Sequence, residues 1–443
     1  MASKITALTA AQRLDSRGKP TVQVALTTDL GRFTALVPSG ASKGDYEAIE
    51  LRDGDKTVYD GNGVLQAVDN VRKILGPELI GKAFNVATQQ AEIDKFLCEL
   101  DGTEDKGRLG ANALLGISMA VARAGAAARG LPLYKHIATL AGRDNHPLCM
   151  PVPFFNVLNG GVHSGNPMAF QEIMIAPVGA RSFEHAAQIG SEVYAHLKSI
   201  LIERFGRSAA GIGDEGGFAP PIFRPHEALD LLNDAISAAG HDGEVKIGID
   251  PASSEFFDTK SGNYDLGMKW EKSNLLSKQA LMGLYHELLD KYPIVLLEDP
   301  FAQDDWEAWT NFNMNCPVEL VGDDLLATNI RRMNEADQKT ACNSLLLKIN
   351  QIGTISEAIA AAKRAYSLGW AVFVSHRSGE TTDDFIADLT VGLGTGHLKS
   401  GSPCRGERVA KYNRLMDIED EIRAQGSRVE YAGASFRYAW QNV

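Results

Sequence analysis

The chain has 443 residues, more than one simple core accommodates, so a two-domain or large-barrel organisation is favoured. Hydrophobic residues make up 44% and charged residues 23%, the balance of an ordinary soluble globular protein, and no apolar run approaches the roughly 20 residues that span a bilayer. A net charge of -12, with no run of lysine or arginine, argues against nucleic acid as the main partner while leaving room for a local anion site.

The N-terminal stretch "MASKITALTAAQRLDSRGK" lacks a long apolar core with a small-residue cleavage site, so no secretory signal is expected. It opens a small α+β module. "ITALTAAQRLD" reads as a strand, and "PTVQVALTT" alternates Val22, Val24 and Leu26 with Thr21, Gln23 and Ala25, the period of a half-buried strand. "RFTALVPSG" is its hairpin partner across the turn at Asp29 to Gly31. The next stretch, "VPSGASKGDY", is small and glycine-hinged at Gly40 and Gly44. It fits a phosphate cradle, a hairpin connector or a mobile lid, and the loop alone does not choose among them. "GVLQAVDNVRKIL" places Val64, Ala67, Val68, Val71 and Leu75 on one helical face. "LGANALLGISMAVARAGAAARG" predicts a long, buried, small-residue helix that ends at Gly130.

After about residue 140 the pattern changes to short apolar runs alternating with helical stretches, as in βα units. Five runs end in an ionisable residue: "VKIGID" at Asp250, "YPIVLLE" at Glu298, "VELVGD" at Asp323, "SLLLK" at Lys348 and "AVFVSH" at His376. The spacings suit one βα unit apiece, except for a longer excursion after Asp250. Near-continuous apolar strands indicate burial on both faces, and the series favours a (β/α)-barrel whose strand ends converge on an active site. The five cysteines, Cys98, Cys149, Cys316, Cys342 and Cys404, are scattered without C-x-x-C spacing, so reduced thiols are expected.

Three carboxylates at one barrel mouth repel and raise one another's pKa, and a hard divalent cation resolves this. Ligands that are all oxygen point to magnesium. For any one of Asp250, Glu298 and Asp323 the alternative is a helix cap. Lys348 is a candidate general base if cations surround it, or a simple neutraliser of the acids. Lys399, in "GHLKSGSP", is a second cation there or an exposed loop lysine. "NGGVHSGNPMAFQE" offers His163, Gln171 and Glu172, and "GIGDEGGFAPP" offers Asp214 and Glu215, as glycine-framed ligand loops or as tight turns with solvated acids. His376, Arg377 and Ser378 in "SHRSGE" form a natural grip for phosphate or carboxylate. This set suits a magnesium-dependent enzyme that removes a proton beside a carboxylate of a small anion.

The ordered stretches "LDSRGKPTVQV", "VPSGAS", "EAIELRDGD", "LGANALLGISMAV", "NGGVHSGN", "QEIMIAP", "GDEGGFAPP", "LEDPFAQDDW", "VGDDLLATN", "LLLKINQIGTISEAI", "VSHRSGETTDDFIADL" and "SPCRGERVAKYN" resemble the enolase (phosphopyruvate hydratase) family along nearly the whole chain. The resemblance implies an α/β protein. An N-terminal α+β domain, residues 1–140, would carry the mobile lid loop and precede a modified eight-stranded (β/α) TIM-like barrel, residues 141–443. It implies reversible dehydration of 2-phosphoglycerate to phosphoenolpyruvate, in glycolysis and gluconeogenesis, by a cytoplasmic homodimer. Carried over by motif, Asp250, Glu298 and Asp323 ligate a tightly held Mg2+, and Ser42 ligates a second Mg2+ that arrives with substrate. Lys348 is then the base at C2, and Glu215, supported by Glu172, the acid at the C3 hydroxyl. Lys399 holds the substrate carboxylate with the metal, with Glu172, Glu298 and Asp323 also facing it. Ser375, His376, Arg377 and Ser378 grip the phosphate end, while His163 and Gln171 close over the substrate. Lys43 replaces the usual threonine of the lid, Val162 a small polar residue before the histidine, and Lys19 an asparagine; Pro251 follows the ligand Asp250. These departures keep a second reading open, a paralogue acting on a modified or phosphonate-bearing relative of 2-phosphoglycerate. An added non-catalytic binding role is a third.

Overall fold

The computed structural model describes residues 3–40, 44–270 and 272–442. Ser42, expected as a ligand of a second metal, and the unusual Lys43 beside it lie outside the described residues. In the N-terminal region β1 (Ala7–Leu14), β2 (Pro20–Thr28) and β3 (Gly31–Leu36) form an antiparallel meander in that order. Val22, Val24 and Leu26 are fully buried as their alternation predicts, but Thr21 and Ala25 on the other face are buried too. β2 is the middle strand, and its small side chains are shielded from both edges, so the half-buried expectation is corrected.

The long helix α1 (Ala111–Ala128) packs against β2 and β3. A Cβ on Gly116 would lie 2.5 Å from Val24 Cγ2, so only glycine permits this closeness between helix and sheet. Among the described residues α1 is the one helix long and apolar enough to cross a membrane, and it lies in the protein core instead. The helix predicted from Val64 to Leu75 runs on to Lys82 through a π-helical turn at Val71–Leu75.

The remainder closes an eight-stranded barrel: β4 (Val152–Asn159), β5 (Glu172–Ala176), β6 (Lys246–Asp250), β7 (Ile294–Glu298), β8 (Glu319–Gly322), β9 (Ser344–Leu347), β10 (Ala371–Ser375) and β11 (His397–Lys399). Neighbours are parallel except around β5, which runs antiparallel to both β4 and β6. The expected modified eight-stranded barrel is found, and the reversed strand that modifies it has a physical origin. No crossover helix lies between β4 and β5, and an antiparallel pair needs none. The consequence is functional: the first residue of β5, Glu172, pairs in register with Asp250, the last of β6, and with Asn159, the last of β4.

Inward-facing side chains fill the barrel in layers. Phe154, Met174, Leu296, Val321, Leu346 and Phe373 form an apolar middle. Below it lie Glu319, Ser344 and His397, and above it the ionisable strand ends. The long excursion after Asp250 is a small three-stranded ribbon, Phe257–Asp258, Asn263–Asp265 and Leu275–Leu276, outside the barrel wall.

Candidate active site

A strand alternates its side chains between wall and lumen, so the first polar residue after an apolar run sits at the rim. Asp250 and Glu298 end β6 and β7; Asp323, Lys348 and His376 follow β8, β9 and β10 by one residue; Lys399 ends β11. They converge on one cavity that is also lined by His163, Gln171, Glu172, Glu215, Ser375, Arg377 and Ser378. Among the described residues, the sequence-predicted site residues line this cavity directly except Asp214, which stays outside it, and Asp250 and Glu298. The last two lie just behind it, bonded to Lys399.

Lys399 is not an exposed loop lysine. It is 1% exposed, and its Nζ donates to Glu172 Oε2 at 3.0 Å, Asp250 Oδ2 at 3.2 Å and Glu298 Oε1 at 2.8 Å. Burial alone would discharge this ammonium, but Glu172, Glu298 and Asp250 prevail and hold its pKa well above the lysine range. Lys348 Nζ donates to Asp323 Oδ2, and Gln351 Nε2 donates to Asp323 Oδ1 at 2.8 Å. Burial, Arg377 and Lys399 all push the Lys348 pKa down, yet the Asp323 ion pair leaves it raised. A lowered lysine is therefore not what this arrangement holds: with Asp323 as partner, Lys348 is an ammonium.

Glu172 and Glu215 form a hydrogen-bonded carboxyl pair. Burial, with Glu215 adding to it, pushes Glu172 well above the carboxylate range, so Glu172 carries the proton. Burial opposes ionisation of Glu215 as well, but His163, His376 and the hydrogen bond from Glu172 hold it well below that range. Asn156 Nδ2 also donates to Glu215 Oε2 at 2.7 Å. His163 Nδ1 lies 3.3 Å and His376 Nε2 3.7 Å from Glu215 Oε1. His163 sits on a 3-10 turn, Gly161–His163, and Glu215 on a turn whose Gly216 has φ +88; a Cβ there would fall 2.2 Å from Ser402 Oγ. Burial, helped by Arg408 and opposed by Glu215, pushes His376 well below its ordinary pKa, so it faces Glu215 as a neutral ring.

The residues expected to grip phosphate are already engaged within the protein. Arg377 Nη1 donates to Glu47 Oε2 at 2.9 Å and to Asn350 Oδ1 at 3.2 Å. Ser375 Oγ donates to the His376 carbonyl at 2.8 Å, and Arg17 Nη1 donates to Ser378 Oγ at 3.3 Å.

The donor set fits a hard cation. Carboxylate oxygens of Asp299, Asp323 and Asp324 lie within 4.8 Å of one another, beside buried Asp250 and Glu298. Burial and neighbouring acids raise Glu298, Asp299 and Asp324, the last to about 8, the signature of more negative charge than Lys348 and Lys399 neutralise. The oxygen-only set suits magnesium.

Sequence reasoning missed four contributors. Glu47 grips Arg377 from the N-terminal region, and Asp299 accepts from the Asp323 and Asp324 amides at 2.9 and 2.7 Å. Asp324 lines the cavity. Arg408, fully buried, donates to His376 Nδ1 at 2.5 Å and to the carbonyls of Arg377 and Ser378, which leaves the His376 proton on Nε2. Asp299 and Asp324 each adjoin a residue that was singled out, so doubled acids were the available signal; Arg408 carried none. Among the described residues the five cysteines are free thiols.

Two family models match the chain. The model of the enolase N-terminal domain matches residues 5–137, and that of the enolase C-terminal TIM barrel domain matches residues 147–440.

Proposed function

The chain belongs to the enolase family, and from that premise we propose that it is a phosphopyruvate hydratase, catalysing the reversible dehydration of 2-phosphoglycerate to phosphoenolpyruvate. The observation that carries this reading is the separation of three proton-handling groups around one cavity: the Lys348 ammonium with Asp323 on one side, the Glu172–Glu215 pair on another, and Lys399 between them. Buried Gln171 Oε1 and His376 Nε2 have no hydrogen-bond partner among the described residues, and unpaired buried donors and acceptors at a cavity are what a polar ligand satisfies.

In this reading Lys348 Nζ takes the C2 proton and Lys399 pairs with the substrate carboxylate. The proton resting on Glu172 passes to Glu215, which donates it to the departing C3 hydroxyl. His376, Arg377 and Ser378 receive the phosphate, with Arg377 exchanging Glu47 for it, and Ser375 braces the strand end. His163 and Gln171 close the opposite wall and keep water out. Asp250, Glu298 and Asp323 would hold magnesium, which would supply positive charge where the enolate develops, and with Asp323 so engaged Lys348 would lose the ion pair that keeps it an ammonium. Ser42 belongs to this reading as a ligand of a second Mg2+. Family membership also supports a cytoplasmic homodimer and a division of the chain at residues 140/141.

The test mixes purified protein, Mg2+ and 2-phosphoglycerate and follows the absorbance of the enol product. Turnover that Lys348→Ala lowers by about 10^3-fold is expected; equal signals from both proteins would remove the assignment.

A further inference from the structure

The ribbon that interrupts the barrel series after Asp250 has no part in the chemistry above, yet it reaches back to the site. Its last turn is braced from within. Asp265 Oδ1 accepts from the amides of Gly267 at 2.9 Å and Asn274 at 2.7 Å, and Asp265 Oδ2 accepts from Ser273 Oγ at 2.8 Å. A Cβ on Gly267 would fall 2.6 Å from the Asn274 nitrogen, so the turn closes tightly on a glycine.

From this turn Lys269 and Trp270 project onto the loop of residues 160–168. Lys269 Nζ donates to the carbonyls of Gly161 at 2.5 Å and Ser164 at 2.9 Å, which bracket His163 in sequence. Trp270 Nε1 donates to the Pro167 carbonyl at 2.8 Å, and its ring meets Phe223 edge-on at 5.5 Å. The same loop is also held by backbone bonds, from Gly160 N to the Gln171 carbonyl at 2.9 Å, Gly161 N to the Met168 carbonyl at 2.9 Å and Asp214 N to the His163 carbonyl at 3.3 Å, and by the Asn159 carbonyl, which accepts from Ser164 Oγ at 3.2 Å and Asn166 Nδ2 at 2.9 Å. Among the described residues the Lys269 ammonium alone ties together the two carbonyls on either side of His163, and charge-assisted bonds of this kind are about twice as strong as neutral ones.

We propose that Lys269 and Trp270 are positioning residues: the arm that carries them holds the 160–168 loop against the barrel mouth and presents His163 to Glu215. The role assigned to His163 rests on the function proposed above; the mechanical linkage does not.

Hydrogen exchange of the full chain, by mass spectrometry, reads the linkage without any substrate. In Lys269→Met, which keeps the apolar stem, exchange across 160–168 rises about tenfold while the rest of the chain and the unfolding temperature hold. Trp270→Phe gives a smaller rise confined to the same segment, and Lys269→Arg restores protection. With 2-phosphoglycerate and Mg2+, Lys269→Met loses about tenfold in kcat with KM little changed. Unaltered exchange in 160–168 overturns the proposal, and so does exchange raised throughout with a lowered unfolding temperature, which marks a merely structural lysine. A wild-type protein without turnover would overturn the proposed function and leave the exchange result to judge the linkage alone.

Discussion

His397 and Lys399 stand two residues apart on β11, point into the same barrel, and live in opposite electrostatic worlds. At the floor, His397 Nε2 meets Glu319 Oε1 at 2.9 Å, Ser344 Oγ donates to the same oxygen at 2.5 Å, and Phe373 and Phe436 close over the imidazole. One acid, one imidazole and one hydroxyl sit in an apolar casing. At the mouth, a single Lys399 faces three carboxyl groups, and Asp323, Asp324, Asp299 and Glu215 crowd beside them. The floor is a small polar plug between apolar layers, with one acid facing one imidazole and one hydroxyl, whereas the mouth holds more acid than its own lysines neutralise. An acid-rich mouth is suited to a cation and to proton transfer, as the proposed function requires; a polar plug cased in apolar layers is suited to packing.

The comparison breaks most sharply at Lys399. Lys399→Met leaves Glu172, Asp250 and Glu298 buried without their cation, and a loss of about 3–5 kcal/mol, seen as a lowered unfolding midpoint at pH 8, is expected together with loss of turnover. Mg2+ and lower pH should each restore part of the stability, because both neutralise the stranded carboxylates.

The acid excess also sets a pH dependence. Carboxyl groups whose folded pKa is raised bind more protons when folded than when unfolded, so they stabilise at low pH and the benefit is lost as pH rises through the folded value. With Asp324 at about 8, the metal-free protein should lose about 2 kcal/mol between pH 6.5 and 8. Below that window the trend is opposed by His136, which burial lowers to about 4 and which stabilises increasingly as pH rises from 4 to 6.5. Unfolding scans in EDTA across pH 6.5–8 check the slope, and saturating Mg2+ should flatten it. A flat profile in EDTA would show that the mouth carries no excess charge.

The smallest effect belongs to the floor. Glu319→Gln keeps the shape, and a cost of about 1–2 kcal/mol in stability is expected, with turnover within about twofold of the parent. A large fall in turnover would erase the distinction between the two layers.

How much of this could be read in advance differs by residue. Asp250, Glu298, Asp323, Lys348 and His376 were legible because an apolar strand that stops at an ionisable residue announces a rim position. Lys399 was weakly legible, since "GHLKS" gives no hint that the histidine is sealed in the floor and the lysine caged in the mouth. Glu47 and Arg408 were invisible, one lying 330 residues from its partner Arg377 and the other on the last long helix, Gly406–Ala424. For Lys348 the sequence left base and neutraliser of the acids both open, and its charged state follows from its nearest neighbour, Asp323, whose proximity outweighs the more distant cations.

The sequence by itself determined the class of fold, the family and the residues that end the barrel strands, because local periodicity and motif are properties of neighbouring residues. Only the tertiary structure decided the reversal of β5, the caging of Lys399, the resting place of the proton on Glu172 and the reach of Lys269 to the His163 loop. Each of these depends on which charges and carbonyls are brought within a few ångströms across long stretches of chain, and burial then decides which of them remain ionised.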